Sequence, residues 1–375
     1  MCQRVDRFKR RGLCLLAQVE GLENRAASVR IAAYAKSSQK RHMVDALAMH
    51  YRYGRPAHLG GPMSAPTAQL HYRPRLADLR RLAKPGALER PALERGPRTT
   101  PAEALTDREG YRDDFLGDFL VPWPQLDEPY RADLLLVPGS ALNRLDYTHF
   151  SIAMSKSRRL ALFVGVNIMG ESLVEVVRGR DRWSYDGRIP ADAQIGESLY
   201  ADNLLDRGHL VRRQDPNWGP NAEQANADTF HFTNCSPQMS GFNQKNWLDL
   251  ENYLLDNTRR WQARATVFSG PVFSEADRHY RGVPIPGAFW KVVAFVDDDG
   301  KPSATAYVIS QESELDRLTS LFGRFRTYQR SVLQVERFTG INFGGLADYD
   351  GFSNEERATG TRIEAEIREM GDIRV

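Results

Sequence analysis

Residues 206–209 read Asp-Arg-Gly-His, and residues 229–251 read TFHFTNCSPQMSGFNQKNWLDLE. The second run has three parts. Phe230, His231 and Phe232 alternate apolar and polar, the pattern of a short strand with His231 on the opposite face from its neighbours. A turn follows. Trp247, Leu250, Leu254 and Trp261 then recur at helical spacing, which predicts an amphipathic helix over 243–260 with those residues in the core. Asn243 and Glu251 lie eight residues apart, just over two helical turns, and so share a broad face.

Outward from this stretch, 375 residues can bury a full core, and 41% hydrophobic with 26% charged residues is ordinary for a globular chain. No apolar run approaches the ~20 residues that span a bilayer. The apolar segment Leu13–Ala17 is short of a signal core of about 7–15 residues, so a cytoplasmic location without membrane association is expected. Cys2, Cys14 and Cys235 make no Cys-x-x-Cys pair and no disulfide framework, which fits a reducing compartment. Charge is unevenly spread. Residues 1–100 hold 20 Lys/Arg against 7 Asp/Glu, a net of +13, whereas the remainder holds 31 against 41, a net of −10.

Residues 1–105 read as a basic, Pro/Gly/Arg-rich region, partly linker, with a helix predicted inside 25–49. A basic arm for nucleic acid is the competing reading. A globular domain is expected over 106–350 and a charged tail over 351–375, forming a solvated helix from Asn354 onward. Leu160–Ile168 (LALFVGVNI) has the content of a central strand, and Ser172–Val177 is expected to pair with it across Met169-Gly170. Arg264–Gly270, Phe289–Val296 and Ser303–Ser310 are further strands, the last two joined at Asp297-Asp298-Asp299-Gly300. A helix is expected over 331–338. Strands and helices do not alternate regularly, so the class is α+β.

The segments Asp206–Leu210, Thr229–Gln238 and Phe242–Glu251 together resemble the DNA/RNA non-specific endonucleases, the endonuclease G-like group. Gly270-Pro271 and Val335-Glu336-Arg337-Phe338-Thr339-Gly340 also match. Asp-Arg-Gly-His alone would be weak. The three segments in order are specific, with nine residues from Asn234 to Asn243 and eight from there to Glu251. The resemblance covers 150–346 and implies a ββα-metal fold, a central mixed or antiparallel sheet flanked by helices. It implies His209 as general base, Asn243 as ligand of a Mg²⁺ that Mn²⁺ could replace, Glu251 in a supporting place, and Asn234 as a further active-site asparagine. It also implies an upstream arginine on the phosphate. Arg178, Arg180 and Arg182 compete for that place, and Arg182 is chosen because Trp183–Asp186 aligns with an aromatic-x-x-acid segment. Implied partners are DNA, RNA or both, with a homodimer and an inhibitor or immunity protein as possible companions.

The residues make chemical sense beside the resemblance. Phosphodiester hydrolysis needs an activated water, charge stabilisation on phosphoryl oxygens and help for the leaving alkoxide. A histidine with a pKa near neutrality can take the water's proton, and Gly208 lets the backbone bring the imidazole close to substrate. An asparagine carbonyl is a hard oxygen ligand suited to Mg²⁺, and a set without thiolates argues against zinc. Asp206 and Arg207 either brace the strand or contact the backbone phosphate. His231 is expected to be a plain strand residue and not a second ligand. The competing functions are a non-catalytic nucleic-acid-binding or scaffold protein that keeps the fold, and the nuclease payload of a toxin or defence system.

Overall fold

The computed structural model describes residues 98–240, 246–260, 263–297, 299–311, 327–367 and 372–374. The helix expected inside 25–49, the second aspartate of the Asp297 turn (Asp298), Asn243 and Trp261 lie outside them. In chain order the main strands are β1 (Leu145–Tyr147), β2 (Phe150–Met154) and β3 (Ala161–Met169). Then come β4 (Leu205–His209), β5 (Cys235–Met239), β6 (Arg264–Val272), β7 (Ala288–Val296) and β8 (Pro302–Ser310). β9 (Thr327–Arg330) and β10 (Glu364–Ile367) complete the series. The helices that matter here are α1 (Asn246–Arg260), α2 (Val332–Thr339) and α3 (Gly351–Thr359).

Eight strands form one antiparallel sheet in the order β10-β9-β8-β7-β6-β3-β2-β1. β4 and β5 form a separate antiparallel pair, Leu205 opposite Met239 and His209 opposite Cys235. With α1 following β5, these three elements are the strand, strand and helix of a ββα unit. The class is α+β, as expected.

The sheet is buried on both faces, which is why its central strands read as nearly continuous apolar runs. Along β7, Trp290, Val292 and Ala294 face a core completed by Tyr111, Phe115, Phe163, Phe268 and residues of α2. Phe289 and Val293 face the opposite core, which includes Val164, Val166, Leu210, Phe230 and Leu250 of α1. Full burial of each such side chain contributes about 1.5–3 kcal/mol. The ββα unit thus rests on a sheet whose far face is anchored independently. α2 is capped by Ser331, whose Oγ accepts from Gln334 N at 3.0 Å, and ends at Gly340 with φ +63°. Asp297 closes the β7–β8 turn by accepting from Gly300 N at 3.0 Å.

Three expectations are corrected. Ser172–Val177 does not pair with β3, whose neighbours are β2 and β6. The chain leaves the sheet at Gly170, where a Cβ would stand 1.9 Å from the Thr258 carbonyl of α1, and Leu173 bridges to Trp218 instead. Phe230–Phe232 is not a strand: His231 makes a single parallel bridge to Ser184, and Phe232–Asn234 is a 3-10 turn before β5 begins. The alternation reflected burial of three consecutive residues in a tight connection, since Phe230, His231 and Phe232 are all buried.

The third correction concerns the ends of the domain. The segment 351–375 is expected as a charged tail forming a solvated helix from Asn354 onward. A helix is there, α3, N-capped by Asp350, but it buries Phe352, Ser353 and Glu356, and β10 after it pairs with β9. Its charges fall on an edge strand, where Glu364 pairs with Arg330 at 2.5 Å, and charged edges resist further pairing. At the other end Thr99 and Thr100 pair in parallel with Tyr185 and Asp186, and Leu105 is buried, so ordered packing begins before residue 106. No helix among the described residues is long and apolar enough to cross a membrane.

Candidate active site

A cleft of about 620 Å³ opens where the end of β4 meets α1 and the segment 178–183. His209, Arg207, Asp206 and Glu251 all line it, as do Arg178, Arg212 and Arg213. The conformation of β4 follows from its pairing. Gly208 lies against β5, and a Cβ there would stand 2.0 Å from Gln238 Oε1. The Gln238 side chain fills the space beside Gly208, so a larger residue there would displace that amide, a constraint separate from the approach to substrate that the sequence suggested.

The His209 ring packs 4.8 Å from the Trp183 ring and edge-on to Phe230 at 5.1 Å. Its Nε2 is buried with no hydrogen-bond partner. Burial pushes its pKa down to about 3, opposed by Asp181 and reinforced by Arg178, Arg213 and Arg207. The imidazole is thus neutral at pH 7, an available proton acceptor, although it sits well below the neutral pKa anticipated for it. Trp183 Nε1, beside it, is likewise buried and unpartnered.

Glu251 is 8 % exposed and lies on α1 one turn beyond its first residues. Lys291 Nζ stands 3.1 Å from Glu251 Oε1, an ion pair whose direction is not that of a hydrogen bond. Asp215, also buried, completes a small group of charges. Burial pushes its pKa up to about 7, with Glu251 adding to the rise and Arg212 and Lys291 opposing it. Arg212 donates to the Glu251 carbonyl at 3.0 Å and to Asn252 Oδ1 at 2.5 Å, which ties the loop after β4 to α1.

The cationic wall differs from the one expected. Arg182 is exposed and is not among the residues that line the cleft; Arg178 is, held by Asp181 at 2.8 Å. Arg180 does not line it either. Arg213, which sequence reasoning missed, donates to the Val176 carbonyl at 3.0 Å and to Asn226 Oδ1 at 2.8 Å, both neutral acceptors. Burial, then Arg178 and Arg212, lower its pKa, so an anion arriving in the cleft relieves crowded positive charge. The adjacent Arg-Arg pair three and four residues after His209 was the available signal. Arg207 pairs with Glu197 at 2.6 Å and lies 5.8 Å over the rings of Trp183 and Tyr200.

Asn234 does not line the cleft. Its Oδ1 accepts from Val211 N at 2.9 Å, and its Nδ2 donates to the Val211 and Thr229 carbonyls, both at 3.0 Å. All these side-chain bonds go to backbone, two of them at Val211, just beyond His209, and one at Thr229. His231 is buried with both ring nitrogens bonded, to the Asp228 carbonyl at 2.8 Å and Thr100 Oγ1 at 2.9 Å, a structural histidine. Cys235 is wholly buried beside Tyr200, its thiol is pushed up to about 12 by burial, and it does not line the cleft.

Comparison with known proteins bears on this arrangement. The sequence model of the DNA/RNA non-specific endonuclease family matches residues 136–349. Uncharacterized protein y4fB of Sinorhizobium fredii is 39% identical over 295 residues, 72% of this chain and 44% of its own length. A protein named Nuclease from a Nostoc species is 26% identical over 58% of this chain and 76% of its own. Human mitochondrial Endonuclease G is 32% identical over 42% of this chain and 54% of its own. The chain therefore spans less than half of the y4fB protein and about half of human Endonuclease G.

Proposed function

This chain belongs to the DNA/RNA non-specific endonuclease family, and from that premise we propose that it is a metal-dependent endonuclease hydrolysing phosphodiester bonds of DNA, RNA or both with little sequence preference. The observation that carries the reading is the neutral His209 imidazole, its Nε2 buried without a hydrogen-bond partner, set in one cleft with the Glu251 carboxylate and the guanidiniums of Arg178, Arg207 and Arg213. A group that must accept a proton has to be neutral beforehand, and burial provides that here. Phosphate contacts would carry affinity, which accounts for indifference to base identity.

The donor chemistry fits Mg²⁺ or Mn²⁺. Among the described residues the cleft is lined by the carboxylates of Asp181, Asp206 and Glu251 and by no cysteine, a set of hard oxygen donors. Asn243, outside the described residues, would hold the ion, with Glu251 supporting it. When bound, such an ion supplies neutralisation of charge on the phosphoryl oxygens and on the leaving alkoxide.

The chain's own residues do the rest. Arg213 and Arg178 would receive the phosphate, Arg213 with the stronger case because its partners are neutral. His209 would take the proton of the attacking water. Arg207 would border the substrate while bracing β4 through Glu197. Asn234 would act as a positioning residue, fixing the backbone that follows His209. Relaxation of supercoiled plasmid tests the reading. We expect cleavage with Mg²⁺, none with EDTA, and a loss of about 10³-fold or more in His209→Ala with its circular dichroism unchanged. Cleavage retained in a clean His209→Ala preparation would remove histidine catalysis. Nucleic-acid binding without any cleavage by the wild type would favour the scaffold alternative.

A further inference from the structure

Lys291 occupies the middle of β7, a central strand, at 1 % exposure. It shares its face with Phe289 and Val293, so an aliphatic side chain would be the ordinary occupant. Its ammonium instead crosses from the sheet to the ββα unit. There it pairs with Glu251 Oε1 at 3.1 Å and approaches the Leu210 carbonyl at 3.5 Å. Ser269 stands opposite Lys291 in the β6–β7 register, and its Oγ donates to the same carbonyl at 2.8 Å. Leu210 is the residue after His209. One side chain thus touches both the strand that presents the imidazole and the carboxylate on the facing helix.

We infer that Lys291 is a positioning residue for the reaction proposed above, holding Glu251 by Oε1 and tying α1 to the backbone after His209, so that the sheet sets the spacing of the two groups. The inference rests on the nuclease reading. Its physical basis is that Glu251 Oε1 is buried, and a buried carboxylate without a compensating charge turns towards water or another cation. Arg212 is the nearby alternative, since it already bonds the Glu251 carbonyl, and Asp215 repels Glu251. Without the ammonium, Glu251 would leave the orientation in which its remaining exposure faces the cleft. A lysine that only filled the core would have no such effect on the carboxylate.

The test is a double-variant cycle of Lys291→Met and Glu251→Gln, with Lys291→Arg as the conservative form and Lys301→Met, an exposed lysine at the β7–β8 turn, as control. Plasmid kcat and KM are read together with Mn²⁺ binding by calorimetry, on the full chain. Expected are a loss of about 10–100-fold in kcat and in Mn²⁺ affinity for Lys291→Met, with KM for DNA within about threefold. Lys291→Arg should recover most of both, because it brings the same positive charge to the carboxylate. In the Glu251→Gln background, Lys291→Met should add little. Unchanged Mn²⁺ affinity in Lys291→Met, or losses that simply add in the double variant, would overturn the inference. If Lys291→Met alone does not fold, folding of the double variant supports the pairing, and failure of both overturns it. Wild-type chain that does not cleave with Mg²⁺ defeats the nuclease reading itself, whereas active wild type with an additive cycle defeats only the role of Lys291.

Discussion

At the scale of single residues, charge state is decided by burial and neighbours more than by residue type. His209 and Asp215 show this in opposite directions, one pushed down to about 3 and the other up to about 7. For His209 the folded value lies below the ordinary 6.5, so the unfolded chain takes up the proton first as pH falls. Its contribution to stability is therefore intact above 6.5 and is lost between 6.5 and about 3. The catalytic consequence has the same origin. The acid limb of kcat/KM for plasmid cleavage is expected well below pH 6.5, and an acid limb at or above that value would mean the imidazole is not held neutral by burial. Arg213 belongs to this scale too. Arg213→Ala should raise KM by about 10-fold with a smaller effect on kcat, since one charge-assisted hydrogen bond to a phosphate is worth roughly 1.5–3 kcal/mol. An unchanged KM in steady-state assays would return the phosphate contact to Arg178 alone.

At the scale of elements, the joint between β3 and α1 matters most. Gly170 passes so close to the Thr258 carbonyl that no side chain fits, and its N–H donates to the Ala263 carbonyl at 2.8 Å. Gly170→Ala should cost about 1–3 kcal/mol in urea unfolding, and because α1 carries Glu251 it should also lower kcat. Full stability in that variant would show that α1 can shift without strain. The elements were largely legible in advance. β3, β6, β7 and β8 announce themselves by β-branched and aromatic runs, and α1 by its apolar repeat. Ser172–Val177 misled because it has strand composition, but the steric demand at Gly170 comes from a residue 88 positions away. β10 was missed because four residues, Glu364 to Ile367, are too few for periodicity to stand out against surrounding charge.

At the scale of the whole molecule, the charge split and the cleft fit together. Residues 101–375 are net acidic, yet four arginines converge on one cleft of that region, so the grip on nucleic acid should be local. Binding measured against salt should then have a slope of log K on log salt of about −2 to −4, at roughly 0.9 per phosphate. A slope near −10 would instead assign the clamp to the +13 of residues 1–100. What the sequence determined by itself was the α+β class, the main strands, α1, and the family, because local propensity, periodicity and the order of three short segments are properties of the chain alone. It also placed His209, Arg207, Asp206 and Glu251, which the fold gathers in one cleft. Only the tertiary structure decided which arginines border the cleft, that the Gln238 side chain fills the space beside Gly208, and that Asn234 spends its amide on the backbone. It alone brought Lys291 to Glu251 across 40 residues of sequence. Such relations depend on distances between strands that meet only after folding, and on burial, which no spacing along the chain encodes.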